Sequence, residues 1–305
     1  MTAQALADDI EHGGAAGMRI AILVTCHDRR AATLACLKAV EANRLPQNCS
    51  LKVILVDDAS SDGTALAVRT AFSYVQVIQA GGDLFWNRGM YLAFKTAVQA
   101  GFDAYLWLND DTILYPDSIR RLVETWVQRT TPRGCIVVGS TCDPVSGVRT
   151  YGGERRAGWR RMRFVPVEPE AEPVRCDTFN GNCALVPHSV VEQIGLIDPL
   201  FSHAMGDTDY GLRATAAGVP IWVLPGFAGE CAHDHSVAGT YRDQSLQFRE
   251  RWRRIMQPKG LPPSSWWRIT RRHAGPAWLL FWMWPYVRLL LEATRSMLPG
   301  RGRGD

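Results

Sequence analysis

Residues 106–112, LWLNDDT, decide the fold expected for this chain, because an apolar run of strand type ends abruptly in an amide and two carboxylates. Adjacent like charges at the end of a buried strand repel each other and resist desolvation unless a cation meets them. Hard divalent cations such as Mg²⁺ or Mn²⁺ prefer oxygen ligands and commonly keep phosphate oxygens among them. Asn109, Asp110 and Asp111 are therefore candidates for a metal and phosphate site. The same residues also fit an Asx-capped turn before a helix near Pro116.

Strand and helix patterns alternate along the chain on both sides of this stretch. Four apolar runs predict strands at 19–25, 51–57, 75–79 and 104–109. Strands that alternate with helical segments predict βαβ units and a parallel sheet, with the carboxyl ends of the strands at one edge. The polar clusters HDRR, DDASSDGT, GGDLFWNRG and NDDT each follow a predicted strand, so we expect them to gather at that edge. After Gly134, a further strand, hairpin material and a strand–turn–strand predict a mixed second half.

Composition and charge limit the class of protein. The chain has 305 residues, 47% of them hydrophobic and 21% charged, which is ordinary for a globular protein. Its eight cysteines form no CxxC pair and no Cys/His ligand spacing, which favours a reduced, cytoplasmic chain over a disulfide scaffold. Residues 1–17 lack the basic start and apolar stretch of a signal peptide and are expected to be a disordered tail.

The net charge of +4 conceals a division near residue 245. Residues 249–305 contain twelve Lys/Arg and three Asp/Glu, a net of +9, whereas the remaining residues contain twenty-two and twenty-seven, a net of −5. The same C-terminal part contains six of the eleven tryptophans. We therefore expect a catalytic domain over 18–245, in halves 18–133 and 134–245, followed by a helical, basic and Trp-rich extension over 246–305.

A second acidic pair ends the second predicted strand, in VDDASSDGT at 56–64. The carboxylates of Asp57 and Asp58 could accept hydrogen bonds from a nucleobase imide and from ribose hydroxyls. Ser61 and Asp62 in the same stretch are better explained as turn and cap residues for the following helix.

Four motifs now stand in order along the chain: VILVDDASSDGT, YLWLNDDT, FNGNCALVP and GDTDYGLRATAAG. In this order and at this spacing they resemble the family 2 glycosyltransferases, most of all the bacterial rhamnosyltransferase-type members, over roughly residues 19–240. The resemblance implies an α/β protein of GT-A fold, a Rossmann-like mixed sheet with helices on both faces. It also implies a nucleoside-diphosphate sugar donor, a divalent metal (Mg²⁺ or Mn²⁺), and transfer with inversion. The expected donor is dTDP-rhamnose or a UDP-sugar, and the expected acceptor is a glycan or polyprenyl-linked glycan.

The resemblance also assigns roles to single residues. Asp57 falls on the aspartate that binds base and ribose, and Asp111 falls on the metal-binding position of the DxD motif, where Asn109 replaces the first aspartate. Asp207 takes the position of the catalytic base, although Gly206 replaces the glutamate that usually precedes it. Asp209 is expected on the acceptor side, or instead in an ion pair with Arg213 at i+4.

Other residues are assigned more broadly by the same resemblance. The remaining contacts to the nucleotide sugar are expected from Thr25, Asp58, Gly82, Asn87, Arg88, Asn109 and Asp110. The remaining acceptor contacts are expected from Asn180, Gly181 and Asn182. A histidine near the metal or diphosphate is expected in CAHDHSVAGTYRD, where the sequence does not separate His233 from His235.

The apolar segment 274–291 contains Pro276, Pro285 and Arg288, which disfavour a membrane-spanning helix. Tryptophans flanked by arginines are typical of a helix that lies at lipid headgroups, so we expect a peripheral position on the anionic cytoplasmic face of a membrane. The alternatives are packing on the catalytic domain or on a second subunit of a homodimer.

Three rival functions fit less well. A sugar-1-phosphate nucleotidyltransferase normally has a Gly-rich loop after the first strand, where this chain has TCHDRR. A non-catalytic, membrane-tethered carbohydrate-binding or scaffold protein does not need the carboxylates present here. Nucleic-acid binding is not expected, because the C-terminal basic residues interleave with an apolar run and form no solvated face.

Overall fold

The computed structural model describes residues 17–158, 162–232 and 237–297. The chain divides into two compact units, Met1–Arg156 with Phe164–His233, and Ala157–Arg163 with Asp234–Asp305. The division comes earlier in the chain than the change of composition near residue 245. Apart from Gly17, the tail expected over 1–17 lies outside the described residues.

The described part of the first unit contains twelve strands and six helices. The strands are β1 (Met18–Cys26), β2 (Cys49–Asp57), β3 (Val75–Gln79), β4 (Ala104–Leu108), β5 (Ile113–Leu114), β6 (Ile136–Cys142), β7 (Gly153–Arg156), β8 (Phe164–Pro166), β9 (Val174–Cys176), β10 (Thr178–Phe179), β11 (Cys183–Pro187) and β12 (Ile221–Glu230). The helices are α1 (Arg30–Glu41), α2 (Thr64–Ala71), α3 (Phe85–Ala100), α4 (Ser118–Arg129), α5 (His188–Ile194) and α6 (Gly206–Ala216).

One large mixed sheet organises the first unit. Within the described residues it has nine strands in the order β3-β2-β1-β4-β11-β6-β12-β5, with β9 also paired to β12. The first four strands of this order run parallel, as the βαβ pattern predicts, whereas β11 is antiparallel to both β4 and β6. Strands from both predicted halves, 18–133 and 134–245, therefore belong to a single sheet.

The strands are continuous apolar runs because helices cover both faces of the sheet. Along β1, side chains alternate between two cores: Ile20 and Ile22 lie in the core that α1 and α4 cover, and Ala21 and Leu23 lie in the core that α3 and α6 cover. The predicted α/β class, with a mixed sheet between helices, is confirmed.

The second half of this unit adds a small three-stranded sheet, β10-β7-β8. Its β7–β8 pair is antiparallel, with Glu154 opposite Pro166, in agreement with the hairpin expected there. All eight cysteines are free thiols.

The described part of the second unit is helical, with α7 (Phe248–Ile255), α8 (Pro263–His273), a short 3₁₀ turn (Gly275–Ala277) and α9 (Trp278–Met297). The Trp282 indole N–H donates to the Pro263 carbonyl at 3.0 Å, and the Tyr286 hydroxyl donates to the Leu261 carbonyl at 2.6 Å. These bonds fix one side of α9 against the start of α8.

Among the described residues, none of the helices combines the length and the apolar character that crossing a bilayer requires.

Candidate active site

The predicted polar clusters meet at one edge of the large sheet, beyond the carboxyl ends of β1, β2 and β4. In the parallel pair β1–β2, Cys26 lies opposite Asp57, so both strands end at the same level. The loops that follow are tied together, because the His27 Nδ1 lies 2.6 Å from the Asp58 carbonyl. On the other side of β1, the Asn109 N–H donates to the Asn182 carbonyl at 3.1 Å.

Asp57 and Thr25 lie at the ends of their strands and are almost fully buried. One Asp57 carboxylate oxygen accepts a hydrogen bond from the Ser60 N–H at 3.0 Å, a turn contact made by the residue that the sequence assigned to the base and ribose. Thr25 packs directly against α3, where a Cβ added to Gly89 would lie 2.2 Å from the Thr25 Oγ1. Thr25 therefore sets the close approach of α3 to β1.

Asp58 organises the loop GGDLFWNRG that follows β3. Its carboxylate accepts hydrogen bonds at 2.8–3.0 Å from three backbone N–H groups, those of Gly82, Leu84 and Phe85. Gly82 adopts a φ of +93°, which favours glycine, and a Cβ there would lie 3.3 Å from the Ala59 Cβ. Asp58 thus holds residues 82–85 above the sheet edge, whereas the sequence indicated a ligand contact.

Asp110 and Asp111 share one guanidinium, that of Arg29 from the loop after β1. The Arg29 Nη2 lies 2.6 Å from an Asp111 carboxylate oxygen, and its Nε lies 3.7 Å from one of Asp110. Asp110 is nearly buried, and Thr33 donates to it at 3.5 Å. Burial raises the pKa of Asp110 to about 7, the Arg29 charge opposes that shift, and the Asp111 carboxylate adds to it.

This acidic turn has the donor chemistry of a divalent-cation site. Asp110 and Asp111 are adjacent carboxylates at a strand end, and among the described residues the Arg29 side chain is the cation that contacts both of them. Oxygen donors of this kind fit Mg²⁺ or Mn²⁺. The described residues contain no group of three or more His, Cys, Asp and Glu side chains that could hold a metal ion. His233 and His235, the other predicted ligands, lie outside the described residues.

Two hydrogen bonds and one packing contact connect the acidic turn to the predicted base. The Asn109 Oδ1 accepts a hydrogen bond from the Trp86 indole N–H at 2.7 Å. The Trp86 ring lies over Gly181, because a Cβ added there would lie 2.4 Å from two carbons of the indole. The Gly181 N–H in turn donates to the Asp207 carboxylate at 2.9 Å. In this structure the Asn109 side chain therefore binds Trp86, and the Gly181 backbone binds the Asp207 carboxylate.

Asp207 stands at the start of α6 with its charge only partly compensated. Its carboxylate accepts from the Gly181 N–H and from the Thr208 N–H at 2.8 Å. Burial raises the pKa of Asp207, and these hydrogen bonds oppose the shift. Burial and the nearby Asp207 charge also raise the pKa of Glu154 on β7. A carboxylate with raised pKa in a cleft is typical of a general base.

Two residues assigned to the donor sugar have structural contacts instead. Asn87 is fully buried, and its amide nitrogen donates to the carbonyls of Asp198 and Phe201 at 2.8 Å. The Arg88 Nε donates to the Pro199 carbonyl at 3.3 Å. Both side chains therefore fasten the loop 198–201 to α3 in this structure, and their contacts to the nucleotide sugar stay predictions.

The unusual Gly206 before the predicted base also has an explanation in packing. A Cβ at position 206 would lie 1.6 Å from the Asn87 Oδ1, which has no hydrogen-bond partner in the structure. With Asn87 in this position, a glutamate side chain at 206 does not fit. Asn87 and Gly206 therefore pack directly against each other, although they belong to two separate sequence motifs.

Asp209 is part of a buried ion pair, which was the alternative to its expected contact with the acceptor. Its carboxylate is fully buried and lies 2.8 Å from the Arg213 Nε at i+4. Arg213 also donates to the backbone carbonyls of Ile194 and Leu196. The pair closes the C-terminal end of α5 onto α6, and the structure therefore favours the ion pair with Arg213 over an acceptor contact for Asp209.

The two remaining acceptor candidates lie on either side of the same turn. The Asn180 Oδ1 accepts from the Gly152 N–H at 3.3 Å, which ties it to the small sheet. Asn182 is buried, and its amide nitrogen lies 3.5 Å from the Cys231 sulfur, which in turn lies 3.5 Å from an Asp111 carboxylate oxygen. Asn182 therefore supports the acidic turn from below.

Four residues near the site were not assigned from the sequence: Arg29, Trp86, Glu154 and Cys231. Arg29 belongs to the HDRR cluster that follows β1, and its position after a strand was the available signal. Trp86 opens α3 and fitted a core residue equally well. Nothing in the sequence of the β7–β8 hairpin distinguishes the inward Glu154 from its solvated neighbours.

Comparison with known proteins agrees with the resemblance. A family model described as glycosyltransferase-like family 2 matches residues 17–270. Over 251 residues the chain is 26% identical to an N-acetylglucosaminyl-diphospho-decaprenol L-rhamnosyltransferase of Mycobacterium tuberculosis. That alignment covers 73% of this chain and 78% of the relative.

Solved structures show the same fold at low sequence identity. GalNAc-T7, crystallised with UDP, GalNAc and Mn²⁺, aligns with a TM-score of 0.56 and 14% identity over 73% of this chain. S. aureus TarS aligns with a TM-score of 0.54 and 13% identity over 83% of this chain. This chain spans 44% and 42% of the length of those two proteins, respectively.

Proposed function

The chain belongs to glycosyltransferase-like family 2 and is a glycosyltransferase, and from that premise we propose that it transfers L-rhamnose with inversion. The proposed donor is dTDP-rhamnose, with a UDP-sugar as the second choice. The proposed acceptor is a hydroxyl of a sugar linked through diphosphate to a polyprenyl lipid, in the assembly of a cell-surface polysaccharide. The name of the mycobacterial relative supports both the sugar and the class of acceptor.

The observation that carries this proposal is the series of contacts that connects the acidic turn to Asp207. It consists of the Asn109–Trp86 hydrogen bond, the packing of Trp86 on Gly181, and the Gly181–Asp207 hydrogen bond. It supports a single site in which the donor diphosphate lies near the acidic turn and the acceptor hydroxyl lies near Asp207. The turn has to meet the charge of a leaving group, and Asp207 has to accept a proton.

The proposed reaction is a single displacement at the anomeric carbon. Asp207 takes the proton of the acceptor hydroxyl as that oxygen forms a bond to the anomeric carbon. The bond from the same carbon to the donor phosphate oxygen breaks on the opposite face, and the nucleoside diphosphate departs. Asp57 is placed to hold the nucleoside, because it ends β2 beside the loop that Asp58 organises. A divalent cation held by Asp111, with Asp110 beside it, would neutralise charge on the departing diphosphate.

Transfer assays with the full-length chain test the proposal. The acceptor is a synthetic N-acetylglucosaminyl diphosphate that carries a prenyl chain, and the donors are dTDP-rhamnose, UDP-glucose and UDP-GlcNAc with Mn²⁺ or with EDTA. We expect product from dTDP-rhamnose in the presence of Mn²⁺, with inverted anomeric configuration by NMR. Transfer with retention would overturn the proposed displacement, and transfer from a UDP-sugar alone would overturn the proposed donor.

We also propose that the second unit binds an anionic membrane surface. One stripe of α9 exposes apolar side chains at helical spacing, with Leu280 71%, Met283 42%, Trp284 58% and Leu291 50% exposed. The unit combines this stripe with the basic composition of residues 249–305, whose positive charge is opposite to that of an anionic lipid surface. A lipid-linked acceptor would be met at such a surface.

Vesicle sedimentation tests this part, with a matched control in the first unit. Leu280 and Leu66 are both 71% exposed, but only Leu280 lies on the α9 stripe. Leu280→Ala should weaken binding to phosphatidylglycerol vesicles roughly tenfold, because a buried leucine contributes about 1.5–3 kcal/mol. Leu66→Ala should bind as the unchanged protein does. If Leu280→Ala instead lowers self-association without affecting vesicle binding, the stripe is a homodimer interface.

A further inference from the structure

We propose that the second unit contains a binding pocket for an amphiphile with a diphosphate head and an apolar chain. A cavity of about 550 Å³ lies within this unit, lined by residues of the segment 241–244, α7, α8 and α9. Small-molecule sites are typically ~300–1,000 Å³. The described residues that line it include none of those proposed for catalysis or nucleotide binding, which indicates a second site.

The lining of the pocket has an excess of positive charge. Among the described residues, the lining contains one carboxylate, that of Glu292, and four guanidinium groups, those of Arg163, Arg242, Arg251 and Arg288. One Glu292 oxygen lies 2.7 Å from the Arg251 Nη2, and the other lies 2.8 Å from the Arg288 Nε. One carboxylate cannot match four groups that carry five N–H donors each. An anion rich in acceptor oxygens would supply the missing charge.

The cationic groups are partly held in place before any ligand arrives. The Arg251 side chain is only 13% exposed, and its Nε donates to the Tyr241 carbonyl at 2.9 Å. The Arg242 Nε donates to the Tyr241 hydroxyl at 3.0 Å. Guanidinium groups that are fixed in this way can meet phosphate oxygens two at a time, because their planar forks match that geometry.

The other walls of the pocket are apolar and continue onto the exposed stripe of α9. Leu289 and Trp266 line the pocket, and so does Trp284, which is 58% exposed and belongs to the stripe as well. A chain attached to an anion in the pocket would therefore leave across Trp284 towards Leu280. This continuity favours an amphiphile over a free phosphate ion.

The charge selects among amphiphiles. Four arginines and one glutamate give the described lining residues a net charge of +3. This charge suits a diphosphate better than the single negative charge of a phospholipid diester. The inference rests on the proposed function, since a lipid-linked acceptor carries such a diphosphate between its sugar and its chain. The pocket would then capture the acceptor lipid by its head.

Binding measurements with the full-length protein test the pocket without any sugar transfer. The probe is farnesyl diphosphate, measured by calorimetry against inorganic pyrophosphate, farnesol and dispersed phosphatidylglycerol. We expect farnesyl diphosphate to bind at least tenfold more tightly than each of the other three. The double variant Arg242→Gln/Arg288→Gln should lose at least tenfold in this affinity. Arg249→Gln, which removes an exposed arginine of α7 outside the lining, should lose nothing.

The outcomes separate this inference from the proposed function. Equal affinities for farnesyl diphosphate and pyrophosphate would overturn the amphiphile, and equal affinity for phosphatidylglycerol would overturn the diphosphate. Loss of binding in Asp111→Asn, but not in the Arg242/Arg288 variant, would place the probe at the nucleotide site and overturn the pocket. If instead dTDP-rhamnose gives no transfer while the pocket variant loses the probe, the pocket stands and the proposed function fails.

Discussion

The two units place the same kinds of residue in opposite positions. In the first unit the largest aromatic side chains, such as Trp107 and Tyr210, are fully buried, with ring centroids 5.0 Å apart. In the second unit Trp284 is 58% exposed. The first unit gathers carboxylates at a sheet edge, and the second gathers arginines around a pocket. A sheet that is covered on both faces buries the large apolar side chains of its strands, whereas a few helices without a sheet leave one face for a partner.

The largest effect that would test this contrast is on catalysis. Asp207→Asn keeps the size of the side chain but removes the proton acceptor, so we expect kcat to fall by roughly 10²–10⁴-fold. Binding of dTDP should be retained, because the substitution does not touch the acidic turn. The control is Glu124→Gln, which removes a surface carboxylate paired only with Arg120 on α4. A folded Asp207→Asn protein with normal turnover would end the assignment of the base.

The next effect concerns the aromatic side chains themselves. Trp107→Ala should lower the free energy of unfolding by about 3–5 kcal/mol, because it opens a cavity among packed rings. Trp284→Ala should change the stability by less than about 0.5 kcal/mol, as most substitutions at exposed sites do. Denaturant unfolding of both variants measures the difference. Similar losses in the two variants would mean that Trp284 supports the fold, and the contrast between the units would fail.

A pH profile examines the carboxylate of Asp207 more finely. Burial raises the pKa of Asp207 above its ordinary value of 3.8, so the acid limb of kcat/KM should lie above that value. The free energy of unfolding depends on pH in the opposite direction to kcat/KM, because a raised pKa favours the protonated carboxyl in the folded state. Its contribution is full below pH 3.8 and is lost as the pH rises through the folded-state pKa. Asp207→Asn should therefore be at least as stable as the unchanged protein at pH 7 to 8. An acid limb at or below 3.8 would contradict this environment.

The first unit was largely predictable from sequence because its strands obey one simple rule. Runs such as 19–25 and 51–57 are apolar throughout, and only strands covered on both faces require that. The polar clusters after them meet at one edge because parallel strands end together. The acidic turn is therefore predictable from the strand pattern, whereas the role of Asp207 rests on the resemblance of GDTDYGLRA to the family motif and stays a prediction.

Local sequence is least informative where the direction of a side chain decides its contacts. Asn87 and Arg88 follow a glycine-rich loop and have ligand-binding chemistry, yet α3 turns both towards the loop 198–201. Asp209 lies two residues after the base, which on a helix places it on a different face, inside the core. Arg29 escaped assignment because its partners are 81 and 82 residues away in sequence. Such long-range pairs depend on the relative placement of loops, which a local pattern does not contain.

The smallest effect, and the one that relates the two charge patterns most directly, concerns Arg29. Arg29 of the first unit pairs with the carboxylates of Asp110 and Asp111, as Arg251 and Arg288 of the second unit pair with the carboxylate of Glu292. The Arg29 Nη2 lies 2.6 Å from Asp111, so a divalent cation at Asp111 must share that carboxylate with it or displace it.

Arg29→Ala should therefore raise the affinity for Mn²⁺ in the absence of nucleotide, by a few-fold, because the pair is partly solvated and such pairs contribute little. Electron paramagnetic resonance of free Mn²⁺ measures this directly, with Arg30→Ala as the matched control from the same loop. The same substitution should weaken dTDP binding in EDTA, because the site then lacks both cations. If Mn²⁺ affinity falls instead, Arg29 does not compete with the cation but helps to hold the two carboxylates in position for it.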